Sequence, residues 1–439
     1  MRDTLSVLTL ALVLLLGLSA PAAAQETADT PVFAPDIAVI LQENCQVCHQ
    51  PGAIGPMSFM SYEETRPWAP IIKEKVVTQE MPPYHYDTNV GIQELKSDAR
   101  LSAEEIATIV AWVDAGAPSG DLNDMPPPVM WPDAAEWRMA EQFGQPDLVI
   151  RSDPYDIPAT GGDSWWRPMV DTGITEERCI MAIETKPSVG GRPSTHHANS
   201  QFQVWNEETG EYESFARLSE YALGKLGEII PEGACRKAPT NSVVTWDIHY
   251  YPMGEAVPGD QVEVGLWLYP EDYAYDYEQD LQSYPGEGDI DLAPYGTAMT
   301  QGFHSFDHPV RIDSWQPHGH FRLAAASLEI FHPATGERDL ISMVSNWTAY
   351  WHLSHVYEDH VAPLVPAGSV LVLTHWYDNT ENNRSNPDPT IYVGRGSRTT
   401  DEMSHDWIAI THLDQDGFDR LVAEREALEE LRNTAGGGG

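Results

Sequence analysis

Cysteine is scarce: the chain has four in 439 residues. That excludes a disulfide-dense array of small secreted modules. It also disfavours a cupredoxin-type oxidase, because blue copper needs a cysteine ligand and none lies in a suitable His/Met context. Basic residues are few as well, 25 Lys and Arg against 67 Asp and Glu, for a net charge of −42. Such a surface repels phosphate backbones and anionic membranes, so no nucleic-acid partner is expected. After residue 24 no apolar run is long enough to span a bilayer, so no stable membrane insertion is expected either. No internal repeat is visible.

What is present begins with an export signal. Met1 to Ala24 has a charged start, an apolar stretch from Leu5 to Leu18, and Ala-Ala-Ala before Gln25. The run is short for a membrane span and ends in the small residues that signal peptidase needs. Residues 1–24 therefore read as a signal peptide, and the mature protein as periplasmic or secreted. In an oxidising compartment Cys179 and Cys235, the two cysteines outside the motif described next, are expected to pair.

The texture of the chain changes along its length. Residues 30–124 read as helical. Ser102 with Glu105 forms a capping box at the start of the last helix there, and Ile106, Ile109, Val110 and Val113 share a face. A stiff Pro-rich linker, 125–139, follows. Short runs rich in Val, Ile, Trp, Tyr and Thr then alternate with Pro, Gly and Asp turns, the texture of antiparallel sandwiches. An acidic, Tyr-rich seam near residues 269–294 divides 140–285 from 286–415. The last piece, 416–439, reads as a charged helix with a glycine tail.

Cys45-Gln46-Val47-Cys48-His49 has the Cys-x-x-Cys-His spacing of covalent haem attachment, with His49 placed to bind iron from one side. Met81, in Met81-Pro82-Pro83, is the expected second axial ligand; His85 competes. Met57 and Met60 are read as core. The Gly55-Pro56 stretch is a candidate for the carbonyl that orients the His49 ring. Residues 36 to 117 resemble a small class I cytochrome c.

A second set of ligands lies beyond the linker. His196-His197 follows Ser194-Thr195, His249 lies in a strand-like run, and His318-Gly319-His320 places two imidazoles on one face of a strand. Adjacent His196 and His197 point to opposite faces unless the strand ends or bulges there. Met403, in Asp401-Glu402-Met403, adds a soft thioether, and thioether with imidazoles suits Cu(I).

In this order the four motifs resemble those of the type II copper, ascorbate-dependent monooxygenases, the family of peptidylglycine α-hydroxylating monooxygenase and dopamine β-hydroxylase. The resemblance spans about residues 140 to 415. It implies two jelly-roll β-sandwich domains, one copper each, facing across a solvent gap. It assigns His196, His197 and His249 to the electron-transfer copper, and His318, His320 and Met403 to the copper where oxygen is activated. The expected fold is thus multidomain: a small all-α cytochrome c domain, two antiparallel β-sandwich copper domains, and a short C-terminal helix.

The expected function is that of an exported copper monooxygenase. It would hydroxylate a C–H bond, or oxygenate a heteroatom, of a small organic substrate with O2. Electrons would reach two coppers through haem c from an external redox carrier or ascorbate-like reductant. Two departures argue against a peptide substrate: Gln316 stands where the peptidylglycine enzyme has a carboxylate-binding arginine, and His405 and Trp407 replace Asn and Tyr. Two alternatives are a non-catalytic haem/copper electron-transfer protein and a zinc hydrolase using His318 and His320. The histidines at 304, 308, 332, 352, 355, 360, 375 and 412 are read as core or surface residues.

Overall fold

The computed structural model describes residues 30–436 apart from 132, 134, 223, 226, 287 and 288. The proposed signal peptide, residues 1–24, lies outside the described residues. No helix among the described residues is long and apolar enough to cross a membrane.

The expected architecture is not what forms. The chain is mostly β, 38% strand and 16% helix, built on a large mixed sheet, and no N-terminal all-α cytochrome domain is seen. The helices before the linker are short, the longest being Asp36–Asn44, Ala69–Val77 and Ala103–Asp114. They gather a small apolar cluster around Phe33, Leu41, Ile109 and Trp112. The predicted capping box is present: Ser102 Oγ accepts the Glu105 N–H, and Glu105 accepts the Ser102 N–H. Between Val77 and Ala103 the chain leaves these helices, and it returns to them before the linker. Tyr84, Tyr86 and Leu95 are buried in the core of the C-terminal β region. Leu95–Lys96 pairs antiparallel with His355–Tyr357 at the edge of the large sheet. Apolar side chains in this stretch bury more surface against a sheet than a few short helices can offer.

The two β halves are not separate antiparallel sandwiches. One 11-stranded sheet runs through both. Its halves meet where Ala234–Ala238 pairs in parallel with Tyr277–Pro285. Tyr277–Pro285 lies inside the stretch read as an acidic seam, and it also pairs with His405–His412 along eight residues. A five-stranded sheet packs on the first half. It contains Ser164–Trp166, Ser242–Tyr250, Thr195–Asn206 and Glu211–Ala222, with Met169–Asp171 alongside. A four-stranded sheet of Thr297–Ser305, Val370–Asp378, Leu323–His332 and Glu337–Val344 covers the second half. Each half has its own core, around Phe202, Leu218 and Ile248 in the first and Trp315, Leu328 and Ile410 in the second. Cys179 and Cys235 are bridged, tying two paired strands of the large sheet. The C-terminal helix is present at Gln415–Gly436.

Candidate metal centre

His196 and His197 stand at the start of the strand Thr195–Asn206, next to the strand Ser242–Tyr250. Along most of this pair the register is regular, with His197 opposite His249. The next step pairs Tyr250 with Thr195, so the register shifts and His196 is the extra residue. A bulge of this kind breaks the strict alternation of side chains. It turns two adjacent imidazoles toward one point, which the sequence alone left open. Their Nδ1 atoms lie 3.1 Å apart. One ring nitrogen from each of His196, His197 and His249 falls within 4.8 Å of the others, a group able to hold a metal ion. His249 Nε2 lies 3.2 Å from the Asp163 carboxylate, which leaves Nδ1 for a metal. Trp165 stacks flat on the His249 ring, centroids 4.4 Å apart and 5° from parallel.

His318 ends the strand Val310–His318, and His320 follows one residue later. Their ring centroids are 5.5 Å apart. Gly319 between them is needed for close packing: a Cβ there would lie 2.8 Å from Leu323 Cβ. Glu402, fully buried, ties this turn to the segment that carries Met403. Its two oxygens accept the backbone N–H groups of His320 (2.9 Å) and Arg322 (2.6 Å). Burial pushes the Glu402 carboxyl up to about 7, against the pull of those N–H donors. Arg322, also buried, donates to Asn379 Oδ1 and to the carbonyls of Thr400 and Asp388. The Asp401 carbonyl lies 3.1 Å from His320 Nδ1, and Tyr377 O–H donates to the Met403 carbonyl at 2.7 Å. These contacts hold Met403 in the wall of the same cavity as His318 and His320.

Both groups open on one cavity of about 320 Å³. His197 lines it from the first group, and His318, His320 and Met403 from the second, with Trp165 and Trp407 as aromatic walls. The imidazoles are held neutral, the form that binds metal. Burial lowers His196 to about 3 and His320 to about 4, and drives His197 and His318 well below the usual imidazole range. For His249 burial also lowers the value, opposed by Asp163. The donor types fit copper: three imidazoles converge at one point, and two imidazoles and a thioether line the same cavity.

Two further histidines belong here, neither of them assigned as a ligand from the sequence: His352, read as core or surface, and His405, noted only as a departure from the family pattern. His405 pairs with His318 across the sheet, rings 4.5 Å apart. His352 lies between the two groups, 5.5 Å from His196 and 4.9 Å from His318. The one sequence signal for His405 was its place two residues after Met403. For His352 there was none beyond its being a histidine.

At Cys45-Cys48-His49 the chain makes a helical turn, with the His49 N–H donating to the Cys45 carbonyl at 2.9 Å. The His49 Nδ1–H is oriented by the Met57 carbonyl at 3.0 Å, not by the Gly55-Pro56 stretch, which frees Nε2. Gly55 packs so closely that a Cβ there would lie 2.7 Å from Nδ1. Phe59 stacks on the ring at 4.4 Å. Burial pushes the Cys45 thiol up to about 12 and raises that of Cys48. Two unpaired thiols and an oriented imidazole with a free nitrogen are the donor set that a covalent haem requires. Met81 follows the helix Ala69–Val77, its N–H donating to the Lys75 carbonyl. His85 instead packs in the second β core, its ring 6.5 Å from that of His355.

No protein-family model matches the sequence, and no curated protein matches it. Among solved structures, similarity is found to the major capsid protein P2 of bacteriophage PM2, at 11% identity over 62% of this chain and 100% of that one, TM-score 0.28. It is also found to N-glycanase F, at 8% identity over 61% and 96%, TM-score 0.27. The tandem CBM22 domain of Paenibacillus barcinonensis Xyn10C matches at 10% identity over 61% and 98%, TM-score 0.14. At these scores none of the three informs the chemistry of the histidine cavity, which stands on its own geometry.

Proposed function

We propose that this chain is an exported, copper-dependent monooxygenase that acts on a small organic substrate and receives electrons through a covalently attached haem. The observation that carries the reading is that the histidine trio and the His-x-His/Met group, far apart in sequence, share one cavity. Copper at both sites would supply the electrons that reduce dioxygen and the centre at which the substrate is oxygenated. A haem on Cys45, Cys48 and His49, with Met81 as its proposed second ligand, would supply replacement electrons from an external donor.

The chain's own residues define the rest. Asp163 and Trp165 fix the plane and tautomer of His249. Glu402 and Arg322 hold the turn bearing His318 and His320 against the segment bearing Met403. Second contacts of this kind keep metal ligands oriented. The cavity is at the small end of the range for organic ligands. Its aromatic walls offer apolar contact, and Gln316 is committed to Glu220 rather than open to a substrate carboxylate. The disulfide suits an oxidising compartment outside the cytoplasm.

The test is metal analysis of haem-matured protein together with oxygen uptake over a panel of small hydroxylatable compounds. One haem and two coppers are expected, with His196→Ala and His318→Ala each removing a different copper. Zinc in place of copper, after careful reconstitution, would refute the oxygenase. Two coppers without substrate-dependent oxygen uptake would favour a non-catalytic electron carrier.

A further inference from the structure

The resemblance to two-copper monooxygenases implies metal centres that face each other across solvent. In this chain a side chain occupies that place. His352 has its ring centroid 5.5 Å from His196 and 5.7 Å from His197 on one side, and 4.9 Å from His318 on the other. Within the first trio itself the centroids are 5.1 to 5.3 Å apart. The two ligand groups are therefore in ring-to-ring contact through one residue.

His352 is buried and held. Its Nδ1–H donates to Glu220 Oε1 at 3.3 Å. The other oxygen of Glu220 accepts from Gln316 Nε2 at 2.5 Å, and the Lys225 ammonium lies 3.5 Å away. Ser354 O–H donates to Gln316 Oε1 at 2.6 Å and so fixes the amide. Burial opposes the charge on Glu220, but Lys225 and His352 hold its carboxyl well below the usual carboxylate range. A carboxylate on one ring nitrogen is the arrangement that orients imidazoles in metal centres. It leaves Nε2 as the free nitrogen of a ring that lies between both groups. His352 does not complete the trio, whose three members alone meet the spacing of donors round one ion.

We propose that His352 joins the two metal positions into one coupled centre, its ring being the path by which an electron crosses from the first site to the second. The proposal rests on copper at both sites. The step is a single electron transfer: the metal at the first site loses one electron, the metal at the second gains it, and no bond or proton moves.

The experiment uses full-length, haem-matured protein loaded with copper. Copper per chain is measured first, then the electron paramagnetic resonance spectrum of the fully oxidised protein. Two coppers with a broadened spectrum and a half-field signal, both lost in His196→Ala, are the expected result. Next, a one-electron reductant is mixed in and samples are frozen at intervals. The two Cu(II) signals should fall together in the wild type. In His352→Ala and His352→Gln both coppers should remain, with synchronous reduction lost and the second site lagging. Two coppers that are magnetically isolated in the wild type would overturn the coupled centre while leaving the copper assignment standing, and this needs no variant. Reduction that stays synchronous in both variants would overturn the role of His352. Absence of copper would overturn the function and the coupling together.

Discussion

Gly319→Ala offers a sharp test of how the second group of ligands is built. The backbone at Gly319 does not lie in the left-handed region, so alanine meets no conformational penalty there. The obstacle is steric. The new Cβ would lie 2.7 Å from Leu323 Cδ2 and 2.8 Å from Leu323 Cβ. A rotamer change clears Cδ2 but not Cβ, which the backbone holds. Leu323 is buried and begins a strand that pairs with Val370–Asp378, so it cannot retreat freely. The turn from His318 to His320 must open instead, at the cost of overpacking a core, about 1–3 kcal/mol. If the metal-bound form bears that strain, copper affinity at the second site falls by roughly 5- to 150-fold. The assay is competition with a Cu(I) chelator on the wild type, Gly319→Ala and a control, Gly162→Ala, where a Cβ would meet nothing within 4 Å. The first site should keep its copper in all three. Wild-type affinity at both sites in Gly319→Ala would show that the His318–His320 turn is not the rigid support described here.

Two further outcomes are expected. Replacing Cys179 and Cys235 by serine removes a bridge between residues 56 apart and should lower stability by about 4 kcal/mol on loop entropy, read from denaturant midpoints; an unchanged midpoint would refute this. If the haem feeds copper within the same chain, stopped-flow mixing of protein with ferrous haem and oxidised copper should show haem oxidation at a rate independent of protein concentration, as for a tethered pair; a rate proportional to protein concentration would make the transfer intermolecular.

Some of this molecule was legible in the sequence because the relevant geometry is local. Cys45, Cys48 and His49 fall in one turn, so their spacing alone brings thiols and imidazole together. Ser102 and Glu105 cap a helix through contacts three residues apart, and those contacts form. His318 and His320 are separated by one residue, and that spacing brings their rings together. In an oxidising compartment, the remaining two cysteines had only each other to pair with.

The rest depended on which strand lies beside which, and periodicity does not encode that. The bulge that aligns His196 with His197 exists only because the neighbouring strand shifts register at His249 and Tyr250. Residues after Met81 looked like the continuation of a helical domain, yet Tyr84, Tyr86 and Leu95 bury themselves in a β core some 200 residues away in sequence. The parallel pairing of Ala234–Ala238 with Tyr277–Pro285 merged what read as two domains into one sheet. His352 carried no motif at all. Tertiary structure alone set it between two ligand groups, because its place is fixed by Glu220, 132 residues earlier in the chain. Local spacing thus determined which residues could bind metal, and long-range strand pairing decided which of them meet.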